Sequence, residues 1–128
     1  MIFELNRLHS MGWMHRDIKP LNIAVRGTNN SKEDLSDVRL IDWNGAEQYY
    51  LGAKYLERFG TRCYMAPEMH INMKHYTPAA DIWSLGVTAY YRYFGKKPLR
   101  RNCSKQSFEA VVELVGFQPF MDMYLRYR

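Results

Sequence analysis

One ordered set of residues constrains this chain more than anything in its composition. His15-Arg16-Asp17-Ile18-Lys19-Pro20-Leu21-Asn22 puts a carboxylate, an ammonium and an amide close together, and Asp42-Trp43-Asn44 follows further along. Ala66-Pro67-Glu68 and Asp81-Ile82-Trp83-Ser84-Leu85-Gly86 come later, in that order. Taken singly, each residue has a plainer role. An Asp in a turn is usually a local cap, and an Asn before a strand is usually a turn residue. His15 reads as a packed, hydrogen-bonded core residue in any case. The joint spacing of Asp17, Lys19, Asn22 and Asp42 is what points to chemistry.

The local patterns suggest how those residues meet. Ile2, Leu5 and Leu8 stand three apart, so Met1 to His9 reads as the end of a helix without its own N-cap, stopped at Gly12. Asn22 to Val25 and Val38 to Ile41 are short strand-like runs. Arg26 to Asp37 between them is a polar loop, which makes a hairpin with a long connection. If the two strands pair, Asn22 and Asp42 face one cleft. Leu51 to Met65 shows no period and reads as irregular.

Thr77-Pro78 supplies an N-cap and a proline at the first helical position. Asp81 in the first turn suits the positive helix end. From Ile82 to Phe94 apolar residues fall on nearly every side, which predicts a buried helix ended by Gly95 and Pro98. Phe108, Val111, Val112 and Val115 predict a last helix stopped by Gly116. The three tryptophans read as core.

Composition sets outer limits. The 128 residues make about one domain, and 47% hydrophobic with 24% charged is an ordinary globular balance. No apolar run is long enough to span a bilayer, and Glu4, Asn6 and Arg7 break the start too early for a signal peptide. Cys63 and Cys103 form no disulfide or metal pattern, which fits a reducing, intracellular compartment. His70 and His75 lack the partners of a metal site. Of the net charge of +5, most lies between Lys96 and Arg128, with seven Lys or Arg against three Asp or Glu. A solvated basic face is the simpler reading, because no nucleic-acid motif accompanies the charge.

The first run fits H-R-D-x-K-x-x-N, a pattern that serves phosphoryl transfer. That reaction asks a protein mainly for positioning and charge neutralisation. Asp17 is the candidate to orient a hydroxyl nucleophile and accept its proton. Lys19 has the reach to meet the transferred phosphate. Asn22 offers an amide oxygen and Asp42 a carboxylate, the hard donors a metal ion on phosphates requires.

With these motifs in order, the chain resembles the C-terminal lobe of a eukaryotic protein kinase, and more narrowly the catalytic alpha subunit of casein kinase II. The narrower signs are His9-Ser10-Met11-Gly12 running into Met14-His15-Arg16-Asp17, and Leu40-Ile41-Asp42-Trp43 with Ala46-Glu47 after it. Trp in place of Phe in D-F-G marks that family. The resemblance covers roughly Met1 to Gly116. It implies an α+β, mainly helical C-terminal lobe without the N-terminal β-lobe. Residues 1–128 would form a partial kinase domain from the catalytic loop to helix G.

The resemblance also implies roles. Asp17 would be the catalytic base, and Lys19 would hold phosphate beside the hydroxyl of Thr61. Asn22 and Asp42 would bind magnesium, with Lys19, Asn22 and Asp42 forming the ATP-binding set. Glu68 would anchor the activation segment through an ion pair. Asp81 would brace the catalytic loop. Arg58 and Arg62 match basic positions that favour acidic substrates. The implied function is transfer of the ATP γ-phosphate to Ser or Thr of protein substrates. A regulatory subunit is the implied partner, in the cytoplasm or nucleus.

Departures temper this. Asn44 stands where the family has Gly; a Gly there permits a positive φ, and Asn is the next most tolerant residue. Met65 replaces a basic residue of casein kinase II. No Gly-rich phosphate loop, V-A-I-K lysine or pairing helical Glu occurs in these residues. The chain therefore reads as a truncated kinase fragment, inactive in isolation. The rival readings are a pseudokinase interaction module and, more remotely, a basic nucleic-acid-binding protein. Between Asp42 and Gly60 there is no Ser or Thr. Arg16 is therefore expected to pair with carboxylates or carbonyls rather than phosphate, Glu47 and Glu57 being the carboxylates within that segment.

Overall fold

The structure is a computed structural model and describes residues 1–25, 38–55, 57, 59–70 and 75–96. The expected loop at 26–37, Arg58, Pro98, the helix at 108–116 and the basic C-terminal region lie outside the described residues. The described elements are helices α1 (Ile2–Ser10), α2 (Pro67–His70) and α3 (Ala79–Phe94), with strands β1 (Trp13–Met14), β2 (Ile23–Val25), β3 (Val38–Leu40) and β4 (Glu47–Gln48). Short 3-10 turns occupy Pro20–Asn22 and Trp43–Gly45.

The strands make two small antiparallel sheets. In one, Ile23 pairs with Leu40, Ala24 with Arg39 and Val25 with Val38. That is the hairpin expected from the two apolar runs, one residue shorter at each of its open ends. The other sheet pairs Trp13 with Gln48 and Met14 with Glu47. No sequence run predicted it, because two-residue strands carry no alternation to detect. A bond from the Tyr49 N–H to the Gly12 carbonyl, at 2.7 Å, continues this pairing.

α1 buries Leu5 and Leu8, one helical turn apart, against Ile18 and Leu40. Burying such a side chain contributes about 1.5–3 kcal/mol relative to leaving it exposed. A second cluster joins Met14, Met65, Ala66, Met69, Tyr76 and Ala80. Trp83 packs against both this cluster and a third one of Cys63, Tyr64 and Val87. The apolar body of the chain thus clamps the segment from Met14 to Asn22 between α1, the hairpin and the start of α3.

Four expectations need correction. α3 is buried along one stripe only, through Ala80, Asp81, Ser84, Val87 and Thr88, while Ile82, Tyr93 and Phe94 are exposed. Apolar residues all round a helix reveal what it could bury, not how many neighbours it has. Trp13 and Trp43 are exposed rather than core. Asn44 does not take a positive φ; that conformation falls on Arg16 (φ 69°) and Asp42 (φ 61°) instead. Cys63 is disulfide-bonded. The boundaries of α3 follow the sequence closely. The Thr77 hydroxyl accepts the Ala79 N–H at 3.3 Å, and Gly95 closes the helix in the left-handed region.

Candidate active site

The H-R-D run forms a loop between β1 and the hairpin, and its shape is set by one buried carboxylate. Asp81, on the first turn of α3, accepts the His15 N–H through Oδ2 and the Arg16 N–H through Oδ1, both at 2.8 Å. His9 Nε2 lies 2.9 Å from the same Oδ2. Asp81 is 1% exposed. Two backbone donors on separate oxygens fix the turn, so Arg16 can hold its left-handed φ. His15 is fully buried, with Nε2 3.1 Å from the Ile41 carbonyl and its ring edge-on to Trp43. It is a packed, hydrogen-bonded residue, as expected.

The loop then delivers Asp17 into a cluster of the other motif residues. Lys19 Nζ donates to Asp17 Oδ2 at 2.8 Å. Asn22 Nδ2 donates to the same oxygen at 3.1 Å and to the Asp17 carbonyl at 2.8 Å. The Thr61 hydroxyl donates to Asp17 Oδ1 at 2.7 Å and accepts from Lys19 Nζ at 2.8 Å. Three side-chain donors thus converge on the Asp17 carboxylate, which acts as an acceptor for all of them.

Thr61 reaches the site because Gly60 precedes it. Gly60 has φ +116°, and a Cβ there would lie 2.5 Å from the Arg16 carbonyl oxygen. The glycine permits close approach of two backbones that are far apart in sequence.

Asn22 and Asp42 end beside one another by hairpin register. The Ile41 N–H donates to the Asn22 carbonyl at 3.0 Å, so Asp42 is the next residue beyond the pairing. The Asn22 amide nitrogen is committed to Asp17, which directs its oxygen elsewhere. Asp42 is exposed at a left-handed turn.

Arg16 points away from this cluster. Its guanidinium donates to the Gly45 carbonyl, to the Tyr76 hydroxyl at 2.8 Å and to Glu47 at 3.3 Å, and stacks over Phe59. Of the two carboxylates expected for Arg16, Glu47 takes it and Glu57 does not.

Residues 2–122 match the sequence model of the protein kinase domain. This chain belongs to the protein kinase family. It is 36% identical over 104 residues to casein kinase II subunit alpha' of Saccharomyces cerevisiae, covering 81% of this chain and 29% of that protein. It is 48% identical over 89 residues to a probable serine/threonine-protein kinase of Dictyostelium discoideum, covering 66% of this chain and 14% of the relative. The chain thus spans less than a third of the length of either relative.

Membership in the kinase family makes ATP and magnesium the general ligands to consider. Magnesium takes one or two carboxylates together with substrate phosphates and water. The Asn22 amide oxygen and the exposed Asp42 carboxylate fit such a site as its protein half. Among the described residues no group of three or more His, Cys, Asp or Glu side chains could hold a metal alone. That includes His75, whose Nδ1 is bonded to the Ala53 carbonyl.

Other residues singled out in the sequence fall differently. Glu68 is half-buried, and that burial pushes its carboxyl above the usual carboxylate range. Among the described residues it has no salt-bridge partner. Arg62 is exposed, while Arg58 lies outside the described residues. No helix among the described residues is long and apolar enough to cross a membrane.

Sequence reasoning missed His9, Gly45 and Tyr76 as contributors. Their signal is weak, since a histidine, a glycine and a tyrosine in an aromatic-rich chain have many ordinary uses.

Proposed function

We propose that this chain carries the catalytic loop and metal-binding segment of a serine/threonine kinase, which transfers the ATP γ-phosphate to a protein hydroxyl. The observation that carries the reading is the convergence of Lys19, Asn22 and Thr61 on the Asp17 carboxylate at 2.7–3.1 Å. Three of these groups come from one short run, and Thr61 is brought to them from 44 residues beyond Asp17.

Asp17 orients the substrate hydroxyl and takes its proton. Lys19, already next to Asp17 and Thr61, places its ammonium where the transferred phosphoryl group gathers charge. Asn22 and Asp42 would hold magnesium, which would supply charge neutralisation for the phosphate oxygens. Asp81 braces the loop through its two backbone bonds. Glu68 anchors the segment before α2, and Arg58 and Arg62 tune substrate choice toward acidic proteins. Residues 1–128 act as the catalytic-loop part of a C-terminal lobe, with a regulatory subunit and a cytoplasmic or nuclear setting as the similarity to casein kinase II suggests.

One observation favours the interaction-module reading. Ile2, Phe3 and Leu21 are 71%, 88% and 82% exposed, a surface suited to covering by another apolar body. The deciding experiment is phosphate transfer from ATP to a serine peptide by the natural protein containing this chain. Asp17→Asn should lower kcat by about 10²–10⁴. An inactive wild type that still binds protein partners would replace the kinase reading with the interaction module.

A further inference from the structure

Among the described residues, three of the four contacts to the Arg16 guanidinium come from the segment after Asp42: the Gly45 carbonyl, Glu47 and the Phe59 ring. The fourth comes from a separate part of the chain. Tyr76 stands just ahead of α3, and its hydroxyl accepts from Arg16 Nη1 at 2.8 Å. Its ring is 3% exposed and belongs to the cluster that contains Met14 and Met65.

The surroundings of Tyr76 give its hydroxyl a second task. An arginine N–H can only donate, so the tyrosine oxygen accepts and its proton is free to donate. It faces the Glu57 carbonyl at 3.5 Å. The ring lies against Tyr55 with centroids 5.0 Å apart. Tyr55 in turn accepts the Tyr50 N–H at 3.1 Å and donates to the Gln48 carbonyl at 3.2 Å. One side chain therefore touches the H-R-D loop and both the middle and the late part of the following segment. Burial raises the Tyr76 pKa, partly offset by Arg16, so the proton is retained at neutral pH. Phenylalanine would fill the same space, so packing does not explain the hydroxyl.

Tyr76 and Asp81 also act on the same residue from one short stretch. Asp81 holds the Arg16 backbone, and Tyr76 holds its side chain. We infer that Tyr76 is a positioning residue, which couples residues 43–61 to the Asp17 loop by fixing the Arg16 guanidinium. The mechanical coupling stands on geometry alone; its effect on catalysis rests on the kinase reading above.

The test compares Tyr76→Phe with wild type in the natural protein containing this chain. Tyr93→Phe, at an exposed site, is the control. Hydrogen exchange of residues 43–50 should speed up about tenfold in Tyr76→Phe, the scale of one lost hydrogen bond to a charged group. Tm should fall by no more than that same loss implies, and exchange in α3 through local opening should speed up less than in residues 43–50. kcat for a serine peptide should fall by a similar factor with KM for ATP unchanged. In an Arg16→Gln background, Tyr76→Phe should add nothing further.

Unchanged exchange, a uniform loss of protection and Tm, or the same shift in the Arg16→Gln background would each overturn the coupling. A wild type without phosphate transfer that still shows the local exchange shift supports the coupling and refutes the kinase reading. Transfer with neither exchange nor kcat altered does the reverse.

Discussion

The Thr61 hydroxyl donates to Asp17 Oδ1 at 2.7 Å, and its own oxygen accepts from Lys19 Nζ at 2.8 Å. Thr61 is therefore part of the charge cluster and not a free regulatory hydroxyl. A phosphate on it would bring negative charge directly against Asp17. The expected outcome is that Thr61 carries no activating phosphate. Mass spectrometry of the native protein checks this, and a stoichiometric Thr61 phosphate that raises activity would refute it. Thr61→Ala should lower kcat about tenfold through the lost hydrogen bond to a charged group.

Asp42 and Arg58 are expected to separate cleanly. Asp42→Asn would remove the carboxylate proposed to hold metal and should raise the barrier by roughly 3–4 kcal/mol, while Arg58→Ala should shift preference among substrates with a small change in kcat. Steady-state kinetics with acidic and neutral peptides makes the comparison. Equal kcat losses in the two variants would argue against a metal role for Asp42.

Asp81→Ala should destabilise the fold by about 3 kcal/mol, because the buried N–H groups of His15 and Arg16 lose their acceptor. Urea unfolding measures it. Ile82→Ala, one position along α3 but exposed, should cost much less. A cost for Asp81→Ala no greater than that of Ile82→Ala would mean that water or other groups replace the carboxylate.

Glu68 gives a pH signature. Its carboxyl is pushed up from the usual value of 4.5, mainly by burial and partly offset by a backbone hydrogen bond. The folded chain then keeps a proton that the unfolded chain has released. The associated stability is present below the unfolded value and is lost as pH rises through the raised folded value. Wild-type stability should fall across that window, and Glu68→Gln should show a flatter profile. Paired urea titrations from about pH 4 to about pH 7 test the sign. A wild-type profile that rises with pH relative to Glu68→Gln would indicate a cation held against Glu68.

Much of the architecture was legible where short-range physics governs. The spacing of Leu5 and Leu8 placed α1, the two β-branched runs placed the hairpin, and Thr77-Pro78 with Gly95 bracketed α3. The register of that hairpin also brought Asn22 beside Asp42. The β1–β4 pairing was not legible, since its two-residue strands owe their form to the loop they close. The exposed faces of α3 and the exposure of Trp13 and Trp43 were misread for a related reason. Side-chain type says what burial would be favourable, and only the neighbours decide whether it occurs.

By itself, the sequence determined the chemistry the chain offers: Asp17, Lys19, Asn22 and Asp42 at a spacing that serves phosphoryl transfer, within a recognisable kinase pattern. Tertiary structure alone decided how that chemistry is held. Asp81 grips the loop from 65 residues away, Gly60 lets Thr61 come up against Asp17, and the positive φ falls on Arg16 and Asp42 rather than Asn44. Tyr76 and Glu47 converge on one guanidinium for the same reason. Each of these depends on which backbones approach in space, and local propensity carries no record of contacts between residues so far apart.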